Sequence, residues 1–322
     1  MTALDREPNA APRAGSDAAP DADGPVMEFI GVSTGQSSIM RVFPAWARVL
    51  GLDGARLVGR DIALDGDPAR YREAVAAIRD DPRRRGALVT THKIAVYRAA
   101  ADLFDEVDEF AALCGEISSI SKRGGRLIGH AKDPITAGLA LEEFLAPDHF
   151  AKTGGHVLLL GAGGAGTAIA WYLAHRADAP AEIVCTDVDA GRLAALRGVV
   201  PAGGGPRLVT RRAEGPADDL LAAMPPGSLV VNATGLGKDR PGSPLGPGAA
   251  FPRQAVVWEL NYRGELDFLR AAREQSDRAG LRVEDGWRYF VHGWSQVVAE
   301  VFDVALTPDL VDELSRVAAE AR

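Results

Sequence analysis

Cysteine, clustered basic residues and long apolar runs are all scarce in this 322-residue sequence. The two cysteines, Cys114 and Cys185, lie inside apolar runs, so we interpret them as small buried hydrophobic residues and expect no disulfide. No segment approaches the ~20 apolar residues of a membrane span, and the N-terminus lacks a signal peptide's apolar stretch. We therefore expect a cytoplasmic protein with no membrane partner.

The formal net charge of −8 argues against a nucleic-acid partner, because proteins that bind the phosphate backbone need clustered lysine and arginine. The one basic cluster, residues 83–85, is short and is interpreted as a solvated loop. No metal site is predicted. These absences leave a globular protein whose partner is a small molecule.

The chain is longer than the ~250–300 residues at which a single hydrophobic core stops growing, so two domains are expected. Residues 1–26 contain almost no large apolar side chain and are predicted to be a disordered tail. The predicted substrate-binding and catalytic domain covers residues 27–136 and is completed by residues 288–322. The predicted dinucleotide-binding domain covers residues 137–287.

Strand and helix patterns alternate along the first half. One hairpin is specific: two short β-prone runs flank Gly124 and Gly125, a pair that supplies the positive φ angles of a tight turn, and Asp133 follows the second run. From residue 154 onward, strands alternate with glycine-bearing turns and helices, which predicts a parallel sheet covered by helices on both faces. The last two helices have no strand after them. The predicted fold class is therefore α/β, with a Rossmann-type C-terminal domain and final helices that pack back on the N-terminal domain.

A glycine-rich turn follows four apolar strand residues and precedes a helical run. Its G-x-G-x-x-G spacing permits a tight turn, close approach of a diphosphate and close packing of helix on strand. We therefore predict a dinucleotide site on these residues: Gly161, Ala162, Gly163, Gly164, Ala165 and Gly166.

An acidic residue ends the next predicted strand, about 20 residues beyond the glycines. The carboxylate of Asp187 would accept hydrogen bonds from the adenine ribose and repel a 2′-phosphate, and no arginine follows it directly. This pattern favours NAD over NADP as the cofactor. Asp189 is an alternative contact, and a helix N-cap is the alternative role for either residue.

The segments GVSTGQSSIM, GALVTTHK, GEISSISKRGGRLIGHAKD, GAGGAGTA, VVNATGLG and ELNYRGELDFL occur in this order, followed by YFVHGWSQVVAEVF. In order and spacing they resemble the quinate/shikimate dehydrogenase family over essentially everything after residue 27. The resemblance implies reversible hydride transfer between nicotinamide and a ring carbon of a cyclic polyhydroxy acid. It implies that Lys93 relays the proton and that Asp133 positions the lysine.

The same resemblance implies two further groups of site residues. The substrate-binding residues are Ser37, Thr90, Ser118, Tyr262, His292 and Gln296. A second loop beside the cofactor contains Asn232, Ala233, Thr234 and Gly235.

Several positions depart from the family pattern. Ile39 stands where the family has a second serine for the substrate carboxylate, Leu88 replaces an asparagine, and Ala131-Lys132 replace an Asn-Thr pair. The family's Gln-Gly appears as His292-Gly293, so His292 is interpreted either as a substrate ligand or as a helix-terminal histidine. Because a polar site rejects analogues that leave its groups unpaired, these changes predict an altered substrate preference.

Two other functions stay open at this stage. One is a dinucleotide-binding sensor without turnover, and the other is a Rossmann dehydrogenase for a different substrate class, such as an amino acid or a methylene-folate. The presence of both Lys93 and Asp133 favours the enzyme, because a sensor has no need of the pair. The exact substrate and the direction of flux stay open, and a homodimer is the candidate assembly.

Overall fold

The computed structural model describes residues 24–64, 66–201, 203–238 and 240–321. The first strand begins at Val26, the last residue of the predicted tail, and residues 1–23 lie outside the described residues.

The first sheet has six strands in the order β2-β1-β3-β5-β6-β4. Strands β2 and β3 pair parallel to β1, and the antiparallel strand β5 turns the chain so that β6 runs in the same direction as β3. The carboxyl ends of β1, β3 and β6 therefore meet at one edge. The strands are β1 Val26–Gly31, β2 Arg56–Asp61, β3 Arg84–Val89, β4 Glu106–Val107, β5 Ser119–Arg123 and β6 Arg126–His130.

The helices of this half follow from local sequence signals. Asp67 caps α2 through its side chain, and Pro68 occupies the first helical position, where no backbone donor is needed. Gly124 and Gly125 have φ angles of 57° and 79°, as the predicted hairpin requires. The helices are α1 Ile39–Val49, α2 Pro68–Asp80, α3 Lys93–Ala100 and α4 Glu109–Cys114.

The second sheet is parallel throughout, in the order β12-β11-β10-β7-β8-β9. The chain moves outward from β7 in one direction and then returns to β10 on its other side, so the topological switch point lies between β7 and β10. The strands are β7 Val157–Leu160, β8 Glu182–Asp187, β9 Arg207–Arg212, β10 Leu229–Asn232, β11 Val256–Glu259 and β12 Arg282–Glu284. The helices of this half are α7 Gly164–His175, α8 Ala190–Val199, α9 Asp218–Ala222 and α10 Asp267–Ala279.

Two short helices, α5 Asp133–Glu142 and α6 His149–Thr153, join the halves. The last two helices, α11 Trp287–Phe302 and α12 Pro308–Glu320, return to the first sheet. There the ring of Trp294 packs edge-on against Phe29 at 4.9 Å, and the buried indole of Trp46 donates to the carbonyl of Leu314 at 2.8 Å. The predicted fold class is confirmed, including the return of the final helices. Sequence reasoning did not identify β4, β9 and β12.

Helices α5 and α11 meet through a polar cluster at the end of α5. Glu143 accepts from His292 Nε2 at 2.6 Å and forms an ion pair with Arg288. Burial alone would raise the pKa of Glu143, but hydrogen bonds from His292 and Arg288 lower this pKa to about 2.

Within the ranges that the structure describes, no helix has the length and apolar character needed to cross a membrane.

We expect the Glu143 cluster to stabilise the fold in its ionised form. Because the folded-state pKa is depressed, this stabilisation is complete above the ordinary pKa of 4.5 and is lost as the pH falls towards 2. Glu143→Gln should therefore lower the free energy of unfolding by about 2 kcal/mol at pH 7 and by much less near pH 2. Urea unfolding at both pH values measures this, with exposed Glu73→Gln as the control. A loss of equal size at both values would contradict the prediction.

Candidate active site

Lys93 and Asp133 form an ion pair at the carboxyl edge of the first sheet. Lys93 begins α3 after β3, and Asp133 begins α5 after β6, so the parallel course of these two strands brings the side chains together. The lysine side chain is 20% exposed and the aspartate 10%, which leaves the pair shielded but accessible to a small molecule. The structure therefore joins the two residues that were predicted to carry the chemistry.

The ionisation of Lys93 results from opposing influences. Burial lowers its pKa, but the negative charges of Asp133 and Glu116 outweigh this effect, and the net pKa of Lys93 is raised. The ammonium is therefore the resting form at neutral pH. A protonated lysine beside a carboxylate is suited to donate a proton to a substrate oxygen.

Three predicted substrate-binding residues lie at the same edge of the sheet. Ser37 follows β1 and is buried, Thr90 follows β3, and Ser118 precedes β5. Part of their hydrogen-bonding capacity serves the fold. Thr90 Oγ1 donates to the carbonyl of Ile30 at 3.3 Å, and Ser118 Oγ accepts from the backbone of Lys132 at 2.8 Å. Their role towards a substrate remains a prediction.

The other three predicted substrate residues lie on or against α11. The ring of Tyr262 packs on Phe290 at 4.7 Å and also contacts Trp287. The interpretation of His292 as a helix-terminal residue is wrong, because it lies inside α11 and bonds Glu143. Gln296 lies one turn further along the helix, on the same face as His292.

Lys132, one of the residues that depart from the family pattern, forms an ion pair inside the fold. Its Nζ pairs with Glu300 Oε2 at 2.6 Å, and both side chains are largely buried. Ile39 and Leu88 belong to the apolar core between the first sheet and α11. These departures from the family pattern therefore serve core packing and an internal ion pair, and they supply no replacement charge.

The glycine-rich turn has the geometry that its sequence predicts. Gly161 has a φ angle of 106°, and an ideal Cβ there would lie 2.7 Å from the carbonyl oxygen of Ala233. Gly163 caps α7, and an ideal Cβ on it has no heavy atom within 4 Å, so this side of the turn is open to a ligand. Gly164, Ala165 and Gly166 form the first turn of α7, whose free N–H groups favour an anion. The turn therefore fits a dinucleotide diphosphate.

Asp187 ends β8 beside this turn. Its carboxylate accepts from the backbone N–H of Ala162 at 2.7 Å and from that of Asp189 at 2.8 Å. The alternative of a helix cap applies to Asp189, whose side chain accepts from the N–H groups of Gly191 and Arg192. Asp187 thus holds the glycine-rich turn, and each of its oxygens retains a lone pair for a further donor.

The loop of Asn232, Ala233, Thr234 and Gly235 lies across the switch point from the glycine-rich turn. The fully buried Asn232 side chain donates to Glu259 at 2.7 Å and accepts from the N–H and hydroxyl of Thr234. Burial raises the pKa of Glu259 to about 7 despite these bonds. Asn232 therefore shapes the loop from inside, and a cofactor contact from this loop would come from residues 233–235.

Sequence reasoning missed two ionisable residues at the site. Glu116 is 1% exposed and lies between the Lys93–Asp133 pair and Gly164. Tyr289 of α11 is hydrogen-bonded to Thr136, and burial together with Asp133 and Glu116 raises its pKa. The one sequence feature that could have indicated a buried role for Glu116 is its position between Gly115 and the apolar residue Ile117, just before a strand. For Tyr289 the helical pattern contained no signal.

Comparison with known proteins places the chain in a family. No protein-family model matches the sequence. A shikimate dehydrogenase (NADP⁺) of Dechloromonas aromatica is 31% identical over 263 residues, which are 76% of this chain and 86% of that protein. A quinate/shikimate dehydrogenase (NAD⁺) of Corynebacterium efficiens is 31% identical over 255 residues, which are 77% of this chain and 84% of that protein.

Among solved structures, quinate dehydrogenase from Corynebacterium glutamicum in complex with NAD is 25% identical to this chain. It superposes with a TM-score of 0.69 and covers 92% of this chain and 99% of its own. The motif resemblance is confirmed: the chain belongs to the quinate/shikimate dehydrogenase family.

Proposed function

We propose that this protein is an NAD-preferring dehydrogenase that oxidises a ring CH–OH group of a cyclic hydroxy acid, or reduces the corresponding ketone. The observation that carries the proposal is the partly buried Lys93–Asp133 pair in the same molecule as a glycine-rich turn open to a dinucleotide. The family relatives named as shikimate and quinate dehydrogenases support the substrate class.

The chain's own part in the reaction is to hold and move one proton. The nicotinamide, when bound, supplies or accepts the hydride. In ketone reduction, Lys93 Nζ donates its proton to the oxygen that becomes the hydroxyl, and in the reverse direction the neutral amine takes that proton back. Asp133 fixes the direction of the amine and stabilises its charged form. Because the pKa of Lys93 is raised, the resting site is prepared for reduction.

The preference for NAD rests on the end of β8. The Asp187 carboxylate lies where the adenine ribose is expected, and Val188, with 66% of its surface exposed, follows it where an arginine would hold a 2′-phosphate. Most of the similar proteins, including that of Dechloromonas aromatica, are named for NADP⁺, whereas the Corynebacterium efficiens protein is named for NAD⁺. Asp187 and the apolar Val188 favour the second type, whereas Arg192, whose Nη1 lies 3.9 Å from Asp187 Oδ2, is a cation beside this strand end.

A sensor without turnover is the second candidate function. The buried polar network of Asn232 and Glu259 would serve a binding protein equally well. The shielded Lys93–Asp133 pair supports turnover, because a lysine held beside a carboxylate can exchange a proton with a substrate oxygen. Measured turnover therefore separates the two candidates.

We expect Lys93→Ala to lower kcat by ~10²–10⁴-fold while dinucleotide affinity stays nearly unchanged, because the lysine acts on the substrate oxygen. Steady-state kinetics and a separate binding titration measure the two effects. Lys152→Ala, which removes a lysine with an exposed side chain, is the control. A variant that keeps more than half of the wild-type rate would exclude Lys93 from proton transfer.

We expect wild-type kcat/KM to be higher with NAD than with NADP. Val188→Arg should raise kcat/KM for NADP by about tenfold or more, because a charge-assisted contact to the 2′-phosphate contributes roughly 1.5–3 kcal/mol. Val188→Gln, which introduces a polar side chain without the charge, is the control. A wild type that already uses NADP better would overturn our interpretation of this strand end.

We also expect unmodified shikimate to be a poor substrate compared with a relative that differs in its carboxylate or ring substituents. Ile39 cannot donate to a carboxylate, and Leu88 and Ala131 cannot bridge ring hydroxyls. Two uncompensated losses correspond to roughly 10²–10⁴-fold in kcat/KM. A panel of shikimate, quinate and amino- or deoxy-substituted relatives tests this. Shikimate at the top of the panel would show that the pocket uses other contacts.

A further inference from the structure

Glu116 reaches from the first half of the molecule to the glycine-rich turn of the second. Gly115, with a φ angle of 63°, ends α4 and turns the chain, and the N–H of Ile117 then bonds the carbonyl of Lys93 at 3.1 Å. This backbone bond holds Glu116 beside the reaction site. Its Oε2 lies so close to Gly164 that an ideal Cβ on that glycine would overlap it.

The carboxyl group of Glu116 is incompletely satisfied. Oε1 is buried and has no hydrogen-bond partner within the part of the chain that the structure describes. Burying an ionised carboxylate without hydrogen-bond donors costs free energy, so such a group is commonly protonated or binds a ligand that supplies a donor. The first turn of α7, against which it lies, is also the place where a diphosphate is expected to bind.

The charged and titratable groups around Glu116 come from several elements. Lys93 belongs to α3, Asp133 to α5, Tyr289 to α11 and Cys114 to the end of α4. Burial raises the pKa of Cys114 to about 12, and the pKa of Tyr289 is also raised, so both are neutral at pH 7. Among the described residues, the one cation named beside Glu116 is therefore Lys93, which is already paired with Asp133.

These surroundings leave Glu116 between its two ionisation states. Burial and the charge of Asp133 raise the pKa of Glu116 to about 7, although Lys93 opposes them. An ionised Glu116 would repel a diphosphate at the same helix terminus, whereas the neutral acid has an O–H group that can donate to it.

We propose, building on the proposed function, that Glu116 is part of the dinucleotide site and that the dinucleotide binds when this residue is protonated. The neutral acid donates its O–H to the bound dinucleotide. The ionised form must first take one proton from solvent, so binding at high pH consumes a proton. No other bond is made or broken. Glu116 is thus a cofactor-binding residue, supplied by the half of the molecule that contains Lys93 and Asp133.

The test is the affinity for NADH, followed by its fluorescence, between pH 6 and pH 8. Apparent Kd follows the protonated fraction, which with a pKa near 7 falls from about 0.9 to about 0.1, so wild-type Kd should rise about tenfold. Glu116→Gln keeps a neutral donor and should bind at pH 8 about as tightly as wild type at pH 6. Exposed Glu109→Gln, on neighbouring α4, makes the same charge change and should keep the wild-type slope.

Calorimetry of NADH binding in buffers of different ionisation enthalpy counts the protons on the wild type alone. We expect about 0.9 proton taken up at pH 8 and about 0.1 at pH 6. A pH-independent Kd with no proton uptake overturns the proposal, and so does an unchanged slope in Glu116→Gln. Either result alongside normal turnover of a hydroxy acid would leave the proposed function standing, whereas absence of turnover with intact proton uptake would contradict that function alone.

Discussion

Helix α5 belongs to both halves of the molecule, and the relation between the reaction site and the cofactor turn depends on it. Its first residue, Asp133, pairs with Lys93 at the edge of the first sheet. Its later residues, Ala137, Ala140 and Leu141, are buried in the core of the second sheet. Gly138 allows the ring of Tyr172 on α7 to approach so closely that any side chain there would overlap it. The position of Asp133 is therefore coupled to the helix that follows the glycine-rich turn.

The return of α11 completes this arrangement from the other side. Its apolar face packs on the first sheet, while Tyr289 faces Trp258 of the second core. The Glu143 cluster then ties α11 to the end of α5. Two helices that each contact both cores limit how far the halves can move independently, and this restriction suits a reaction that requires a cofactor and a substrate to meet at a fixed distance.

The ionisable groups of the site do not act separately. Lys93 lies beside two buried carboxyl groups, Asp133 and Glu116, and the ionisation of Lys93 and that of Glu116 depend on each other. The pKa of Lys93 is raised, so the lysine stays charged at pH 7, whereas the pKa of Glu116 is raised to about 7, so this carboxyl group is partly protonated. In the roles proposed above, Lys93 keeps one proton for the substrate and Glu116 exchanges another with solvent.

The local elements followed from the sequence wherever one signal dominated. The glycine pair at 124 and 125 required a tight hairpin, and G-x-G-x-x-G after four apolar residues required a strand, turn and helix. Strand β9, rich in arginine, and the three-residue β12 lie at the edges of their sheet and lack the apolar run that marks a central strand. They were therefore not predicted.

The sequence by itself determined the order of the central strands and helices and the glycine-rich turn, because spacing along the chain encodes them. It also carried the family resemblance that singled out Lys93 and Asp133. Only the tertiary structure decided which polar groups face inward. Asn232 donates a hydrogen bond to Glu259, Lys132 forms an ion pair with Glu300, and His292 is hydrogen-bonded to Glu143. Glu116 looks like any other charged residue in the sequence, and its burial follows from contacts between segments distant in the chain. Solvent exclusion and the summed electric field of neighbouring charges arise only when the molecule is packed. A local sequence pattern therefore cannot predict them.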